Sequence, residues 1–202
     1  MNVGVILAAG KSTRFDSEIP KQLYHIGDKP MIQHSIDLFS KYLDDVIIVT
    51  NADCYSKIYG DVILTDNDSR LESIKVALSH IEKCSNILIH DAARPYITDS
   101  MVESLLESSN KNLHSQFYLP LLNGLAELKD VGFVIPDRND FIELCSPQIT
   151  NFDLFKYIFE TYIQTGEECE ILPVVSRFQM KYELIKGHYR YLRKITTLED
   201  IF

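Results

Sequence analysis

Short β-branched runs alternate with helix-spaced apolar stripes through the first half of this chain, and few folds accept that rhythm. Val3-Gly4-Val5-Ile6, Val46 to Val49, Val62-Ile63-Leu64 and Ile87-Leu88-Ile89 each read as a buried strand. Between them, Ile32, Ile36, Phe39 and Leu43 fall on one helical face, as do Ile74, Leu78 and Ile81. Met101, Leu105 and Leu106 mark a further helix, with Asp99 or Thr98 as its cap. Strand–helix alternation predicts an α/β fold: a Rossmann-like, mostly parallel sheet with helices on both faces. Ligands settle at the carboxyl ends of the strands in such sheets. Three polar clusters stand at those ends: Ala8 to Lys21, Asn67 to Ser73, and His90 to Pro95.

The rhythm changes after Phe117-Tyr118-Leu119. Asn123 to Ser146 carries Gly124, Gly132 and Pro136 with few helical signals, and reads as an extended excursion or hairpin. Phe152, Phe155 and Phe159 then mark a helix, and strands are predicted around Leu172 to Val175 and Tyr182 to Ile185. No repeat or interdomain linker interrupts the pattern, so residues 1–202 are expected to form one domain.

Charge narrows the partners. A formal net charge of -9 argues against nucleic acid, whose phosphates need a basic face. A small anion is compatible with it, because a few lysines in a cleft reverse the local potential. Cys54, Cys84, Cys145 and Cys169 form no CxxC pair and read as reduced, mostly buried thiols, without a zinc site. No segment has the length and apolarity of a membrane span, and the N-terminal apolar run lacks a basic leader region. The expectation is a soluble, cytoplasmic protein that binds no membrane.

The first polar cluster resembles a nucleotide hydrolase loop at first sight, since Gly10-Lys11-Ser12 follows a strand. A P-loop requires GxxxxGK[ST], and the residue five places before Gly10 is Val5. Gly4 lies one place too early, and a dinucleotide GxGxxG fails at Ser12. What remains is Ala8-Ala9-Gly10, open to close backbone approach, with Lys11, Arg14 and Lys21 near the same strand end. Amides and cations so placed suit a polyphosphate. Lys11 by itself reads as a solvated loop residue.

Ala8 to Gln22, AAGKSTRF followed by PKQ, is similar to the signature loop of the sugar- and polyol-phosphate cytidylyltransferases. Within that group the chain most resembles the 2-C-methyl-D-erythritol 4-phosphate and ribitol-5-phosphate enzymes. Further segments match in the family's order: Arg70-Leu71-Glu72-Ser73, His90-Asp91-Ala92-Ala93-Arg94-Pro95, Ser146-Pro147-Gln148, and Lys194-Ile195-Thr196-Thr197 with Glu199-Asp200. The resemblance implies the nucleotidyltransferase type of α/β fold with a protruding β-arm. The implied reaction is attack of an acceptor phosphate oxygen on the α-phosphorus of CTP, which transfers CMP and releases pyrophosphate.

The resemblance also implies roles. Arg14, Lys21 and Lys194 would be catalytic, holding the triphosphate and the charge that builds during transfer. Ala8, Ala9 and Gly10 would meet ribose and base, Ser73 would read cytosine, and Asp91 would hold Mg2+ beside the nucleotide. Arg94 would bind the acceptor's phosphate. Residues 123–146 match an arm that packs on a second subunit, where Arg138 would reach the partner's acceptor site, so a homodimer is expected.

Read as isolated residues, Asp91 could cap a turn, Ser73 a helix, Arg94 could be a surface ion-pair residue and Lys194 an exposed charge. The acceptor side departs from the methylerythritol pattern. Asn123-Gly124 stands where an Asp-Thr pair opens the arm, Gly166-Glu167-Glu168 replaces an acidic segment, and Ile135 to Asn139 leans towards the ribitol type. Ser12 and Asn67 occupy positions where glycine is usual. The acceptor therefore stays open between the two polyol phosphates. The alternative function is a catalytically inactive nucleotide-binding homologue acting as a scaffold or regulator.

Overall fold

The computed structural model describes residues 1–10, 13–15, 19–50, 61–65, 69–162 and 171–201. Lys11, Ser12, Asn67, Cys54, Cys169 and the Gly166-Glu167-Glu168 departure lie outside the described residues. The elements run β1 (Asn2–Leu7), β2 (His25–Ile26), β3 (Lys29–Pro30), α1 (Met31–Tyr42), β4 (Asp45–Thr50), β5 (Asp61–Leu64) and α2 (Arg70–His80). Then come β6 (Asn86–Asp91), α3 (Asp99–Ser109), β7 (His114–Pro120), β8 (Glu127–Leu128), β9 (Phe133–Val134) and β10 (Ile142–Asn151). The described chain closes with α4 (Phe152–Tyr162), α5 (Ile171–Arg177), β11 (Tyr182–Lys186) and α6 (Tyr189–Leu192).

Among the described residues, seven strands form the central sheet in the order β11-β7-β10-β6-β1-β4-β5. β1 pairs parallel with β4 and β6, β4 with β5, and β11 with β7, while β10 runs antiparallel to both neighbours. The expected mostly parallel α/β sheet is what forms.

Strand parity decides which helix covers which side. Gly4, Ile6, Val46, Ile48 and Leu88 face α1 and α3, packing with Ile32, Ile36, Phe39, Val102 and Leu105. Val3, Val5, Ile47, Val49, Ile87 and Ile89 face the other way, against Ile74 and Ala77 of α2, Phe155 and Phe159 of α4, and Ile171 and Val175 of α5. Burial on both faces is why these strands read as continuous apolar runs. Gly4 allows α1 to approach: an added Cβ would lie 2.7 Å from Leu43 Cδ1 and 3.3 Å from Phe39 Cδ2. Gly4→Ala is therefore expected to cost about 1–3 kcal/mol in urea unfolding. An unchanged midpoint would show that Leu43 yields freely.

The predicted strand at Leu172 to Val175 is instead helix α5. A short apolar run does not distinguish the two, and burial of one face against α4 decides it here. Ile171 and Val175, four apart, are both buried on one face, and Pro173 sits in the first turn, where no backbone donor is needed. The other predicted strands and helices form, with Thr98 as the N-cap of α3.

The excursion contains a small hairpin, β8 with β9, and a 3-10 turn at Arg138–Asp140. Its last residues, from Ile142, belong to β10 and pair with β7. Among the described residues no helix is long and apolar enough to cross a membrane. Cys145 is buried and Cys84 half-buried, both as free thiols.

Candidate active site

The chain leaves β1 towards α1, β4 and β5 on one side, then returns through α2 to β6 on the other side of β1. That reversal opens a crevice at the carboxyl ends of β1 and β6, where Leu7 and Asp91 are register partners. A cleft of about 310 Å3 opens there, lined by Ala9, Gly10, Thr13, Arg14, Lys21, Gln22, Arg70, Ser73, Asp91, Ala93, Lys194 and Thr196 along with Leu7. Three widely separated polar segments of the sequence thus share one wall.

Asp91 is the centre of charge. It shares the parity of Ile87 and Ile89, the face that α2 covers, so the first residue of α2 meets it. Arg70 Nη1 donates to Asp91 Oδ1 at 2.5 Å and Lys194 Nζ to Oδ2 at 3.0 Å, with Arg94 Nε 3.8 Å from Oδ2. The Asp91 amide donates to Ser146 Oγ at 3.0 Å, which ties the strand end to β10. Burial alone would push the Asp91 carboxyl up, but Arg70, Lys194 and Arg94 outweigh it and hold it well below the usual carboxylate range.

Lys21 is 9% exposed and donates to Ile195 O at 3.0 Å. Burial, then the Lys194 and Arg14 charges, press its pKa below the ordinary lysine value, while Asp91 and Asp200 oppose them. Such a cluster of cations in a half-dry cleft is a standing demand for a polyanion.

The loop that carries Ala8, Ala9 and Gly10 is held from behind. Gln22 Nε2 donates to Ala8 O at 2.9 Å and to Gly10 O at 3.2 Å, and the Ala8 amide donates to Val49 O. Ala8 is buried under the cleft, whereas Ala9 and Gly10 line it. Phe15 packs with Ile26, Met31, Ala93 and Ile195, which draws the first loop and the Lys194 segment together. The Ile195 amide donates to Ala93 O at 2.8 Å. Asp200 Oδ2 accepts from the amides of Thr196 and Thr197 at 2.7 and 2.8 Å, closing a capping box just after Lys194. Those amides lower the Asp200 pKa.

Of the predicted residues, Arg14, Lys21, Lys194, Ala9, Gly10, Ser73 and Asp91 share the cleft. Ser73 Oγ also donates to Ser69 O one turn back. Arg94 is 6% exposed and lies outside the cleft lining, because the turn after Asp91 sends its guanidinium inward to Leu192 O. Arg138 is exposed on the excursion and donates to Leu122 O. Neither stands at this chain's own cleft wall.

Arg70, Gln22 and Asp200 carry structural weight that residue-by-residue reading missed. Arg70 had a signal, being a cation at a helix start beside a strand-end polar cluster. Gln22 acts through backbone carbonyls that only folding brings within reach, whereas Asp200 had a local signal in the capping-box spacing of Thr197 and Asp200.

The family model of 2-C-methyl-D-erythritol 4-phosphate cytidylyltransferase, IspD, matches residues 2–202. Proteins named 2-C-methyl-D-erythritol 4-phosphate cytidylyltransferase from Clostridium botulinum (strain Okra / Type B1) and Thermotoga neapolitana are 27% and 26% identical to this chain. The first alignment covers 99% of this chain and 94% of the relative, the second 100% and 94%. The crystal structure of the 2-C-methyl-D-erythritol 4-phosphate cytidylyltransferase from Thermus thermophilus shares the fold with TM-score 0.80 at 18% identity, covering 98% of this chain and 94% of that one. The bifunctional IspDF of Campylobacter jejuni shares it with TM-score 0.82 at 24% identity over 99% of this chain, which spans 53% of that longer chain. A match over nearly every residue, on a fold with the same architecture, places this chain in the 2-C-methyl-D-erythritol 4-phosphate cytidylyltransferase family.

Proposed function

We propose that this protein transfers CMP from CTP to 2-C-methyl-D-erythritol 4-phosphate and releases pyrophosphate. The observation that carries the reading is the convergence of Arg14, Lys21, Arg70 and Lys194 around Asp91 at the β1–β6 crevice of a member of this family. Two anions must meet for a phosphate oxygen to attack an α-phosphorus, so catalysis is chiefly charge neutralisation and alignment. Arg14 and Lys21 take the triphosphate from the first loop, and Lys194 approaches from the opposite wall. As the bond from α-phosphorus to the bridging oxygen breaks, these cations hold the charge that moves onto pyrophosphate. Ala9 and Gly10 meet the nucleoside with their backbone, Ala8 fixes the loop they share, and Ser73 reads the cytosine. Arg94 anchors the chain before Lys194 through Leu192 O, and its charge adds to the field that draws the acceptor phosphate.

Mg2+ suits this donor set. Asp91 offers hard carboxylate oxygen at the cleft, and among the described residues no three acidic, His or Cys side chains gather to form a dedicated cage. Such an ion would keep several of its waters and would need only one or two protein carboxylates. When bound, it supplies further neutralisation of phosphate charge, with Asp91 as the residue that would hold it.

The protein works as a homodimer through the excursion. Leu128, Val131 and Ile135 there are 84%, 93% and 73% exposed, an apolar surface that water disfavours. Docked on a second subunit, the excursion carries Arg138 to the partner's acceptor phosphate. The double variant Val131→Asp, Ile135→Asp is expected to be monomeric in light scattering and to lose turnover. A monomeric wild type, or full activity of the monomer, overturns the dimer reading.

Pyrophosphate release from CTP, measured with 2-C-methyl-D-erythritol 4-phosphate and ribitol 5-phosphate, tests the proposal. Turnover is expected with the first acceptor. Turnover with ribitol 5-phosphate alone reassigns the acceptor, and CTP binding without release on either acceptor overturns the catalytic reading.

A further inference from the structure

Both oxygens of the Asp91 carboxylate carry cations of its own chain. Oδ1 receives Arg70 and Oδ2 receives Lys194, with Arg94 close behind. A metal ion arriving at Asp91 therefore competes with these partners for the carboxylate's charge. The partners differ in freedom. The Arg70 and Lys194 side chains are 37% and 46% exposed, while Asp91 is 14% exposed and Arg94 is 7% exposed. Only the first two can swing towards an arriving anion.

Arg70 is also incompletely satisfied. Its Nε is buried and, among the described residues, has no hydrogen-bond partner, a state that costs free energy until an acceptor arrives. The guanidinium is a planar fork suited to phosphate oxygens, and it stands on the cleft wall one helical turn from Ser73.

We infer that Arg70 is a positioning residue that occupies Asp91 Oδ1 until nucleotide phosphate draws it away, so that divalent cation and nucleotide bind as a coupled pair. This rests on the function proposed above and adds the order of events within it. In the free protein, Arg70 competes with a cation for Asp91. Phosphate oxygens then take over the Arg70 guanidinium, satisfy Nε and release the carboxylate. The same coupling gives the mutual dependence that linkage requires: cation held by Asp91 keeps Arg70 available for phosphate.

The test is a titration of the intact chain with Mn2+ alone, reading free Mn2+ by electron paramagnetic resonance, with no nucleotide present. Arg70→Gln is expected to bind Mn2+ about tenfold more tightly than wild type, the scale of one charge-assisted hydrogen bond removed from the competing side. Arg70→Met, which keeps an apolar stem without charge, is expected to do the same if the Gln variant folds poorly. The double variant Arg70→Gln, Asp91→Asn returns to weak binding. Equal Mn2+ affinity in wild type and both Arg70 variants overturns the inference, as does tight binding that survives in the double variant. A merely structural role for Arg70 would not tighten metal binding. Wild-type pyrophosphate release is assayed separately: its absence removes the proposed function but leaves the Mn2+ comparison to decide the Arg70–Asp91 competition.

Discussion

Lys21→Met lowers kcat/KM for pyrophosphate release by about 10²–10³, the loss typical of removing one preorganised charge at a reacting centre. Lys21 has the largest expected effect because it is the most buried of the cleft's lysines, so its charge is least screened by water. Methionine keeps the stem volume, and the fold loses only the donor to Ile195 O, about 1 kcal/mol. Activity and stability therefore separate in this variant. Lys194→Met is expected to cost less, since that side chain is 46% exposed. Steady-state kinetics with a parallel melting curve check both, and a Lys21→Met enzyme within tenfold of wild type would refute the assignment. Because burial and neighbouring cations lower the Lys21 pKa, its charge is lost at a lower pH than an ordinary lysine's. The alkaline limb of activity should move up in Lys21→Arg.

Acidifying metal-free protein from pH 7 to pH 5 lowers its unfolding free energy by about 4 kcal/mol through two buried histidines. Burial drives His90 down to about 3 and His114 down to about 4. His90 faces Ser35 and the edge of Phe39, and His114 lies between Thr150 and Gln116. In the unfolded chain each takes a proton as pH falls through about 6.5, while the folded chain excludes it. Stability is thus fully present above 6.5 and drains as pH falls towards the folded values. Asp91 acts in a different window: its lowered pKa stabilises the fold above the usual carboxylate range and is lost only below it. Urea unfolding at pH 7.5, 6 and 5 measures the slope. His114→Gln is expected to remove about half of it, and a flat profile across this range would show that the histidines ionise inside the fold.

Asp200→Ala separates anchoring from chemistry. Without its carboxylate the amides of Thr196 and Thr197 lose their acceptor, and the segment bearing Lys194 is freed. We expect kcat to fall about tenfold with little change in melting temperature, as for a misplaced positioning group. Asp200→Asn, which keeps one acceptor oxygen, should recover part of the loss.

How far the sequence reached differs by element. Strands β1, β4 and β6 were legible because burial on both faces makes them continuous apolar runs, and α1 and α3 because their stripes follow the helical period. α5 was not, because four apolar residues with a proline carry no period, and the partner face of α4 decides the conformation. The motif residues at strand ends were legible as a set. The reach of Arg94 was not, since direction after a turn depends on where Leu192 lies.

By itself the sequence determined the α/β class, the strand ends at which polar residues gather, and the cations that line the cleft there. Parity and periodicity are local properties, written into residue spacing. Tertiary structure alone decided that Arg70 and Lys194 share one carboxylate, that Gln22 braces the first loop, and that Phe15 holds the last segment against it. Those contacts join residues 12 to 180 positions apart, and no spacing rule specifies them; the crossing of α2 over the β1–β6 crevice and the packing around Ile195 do.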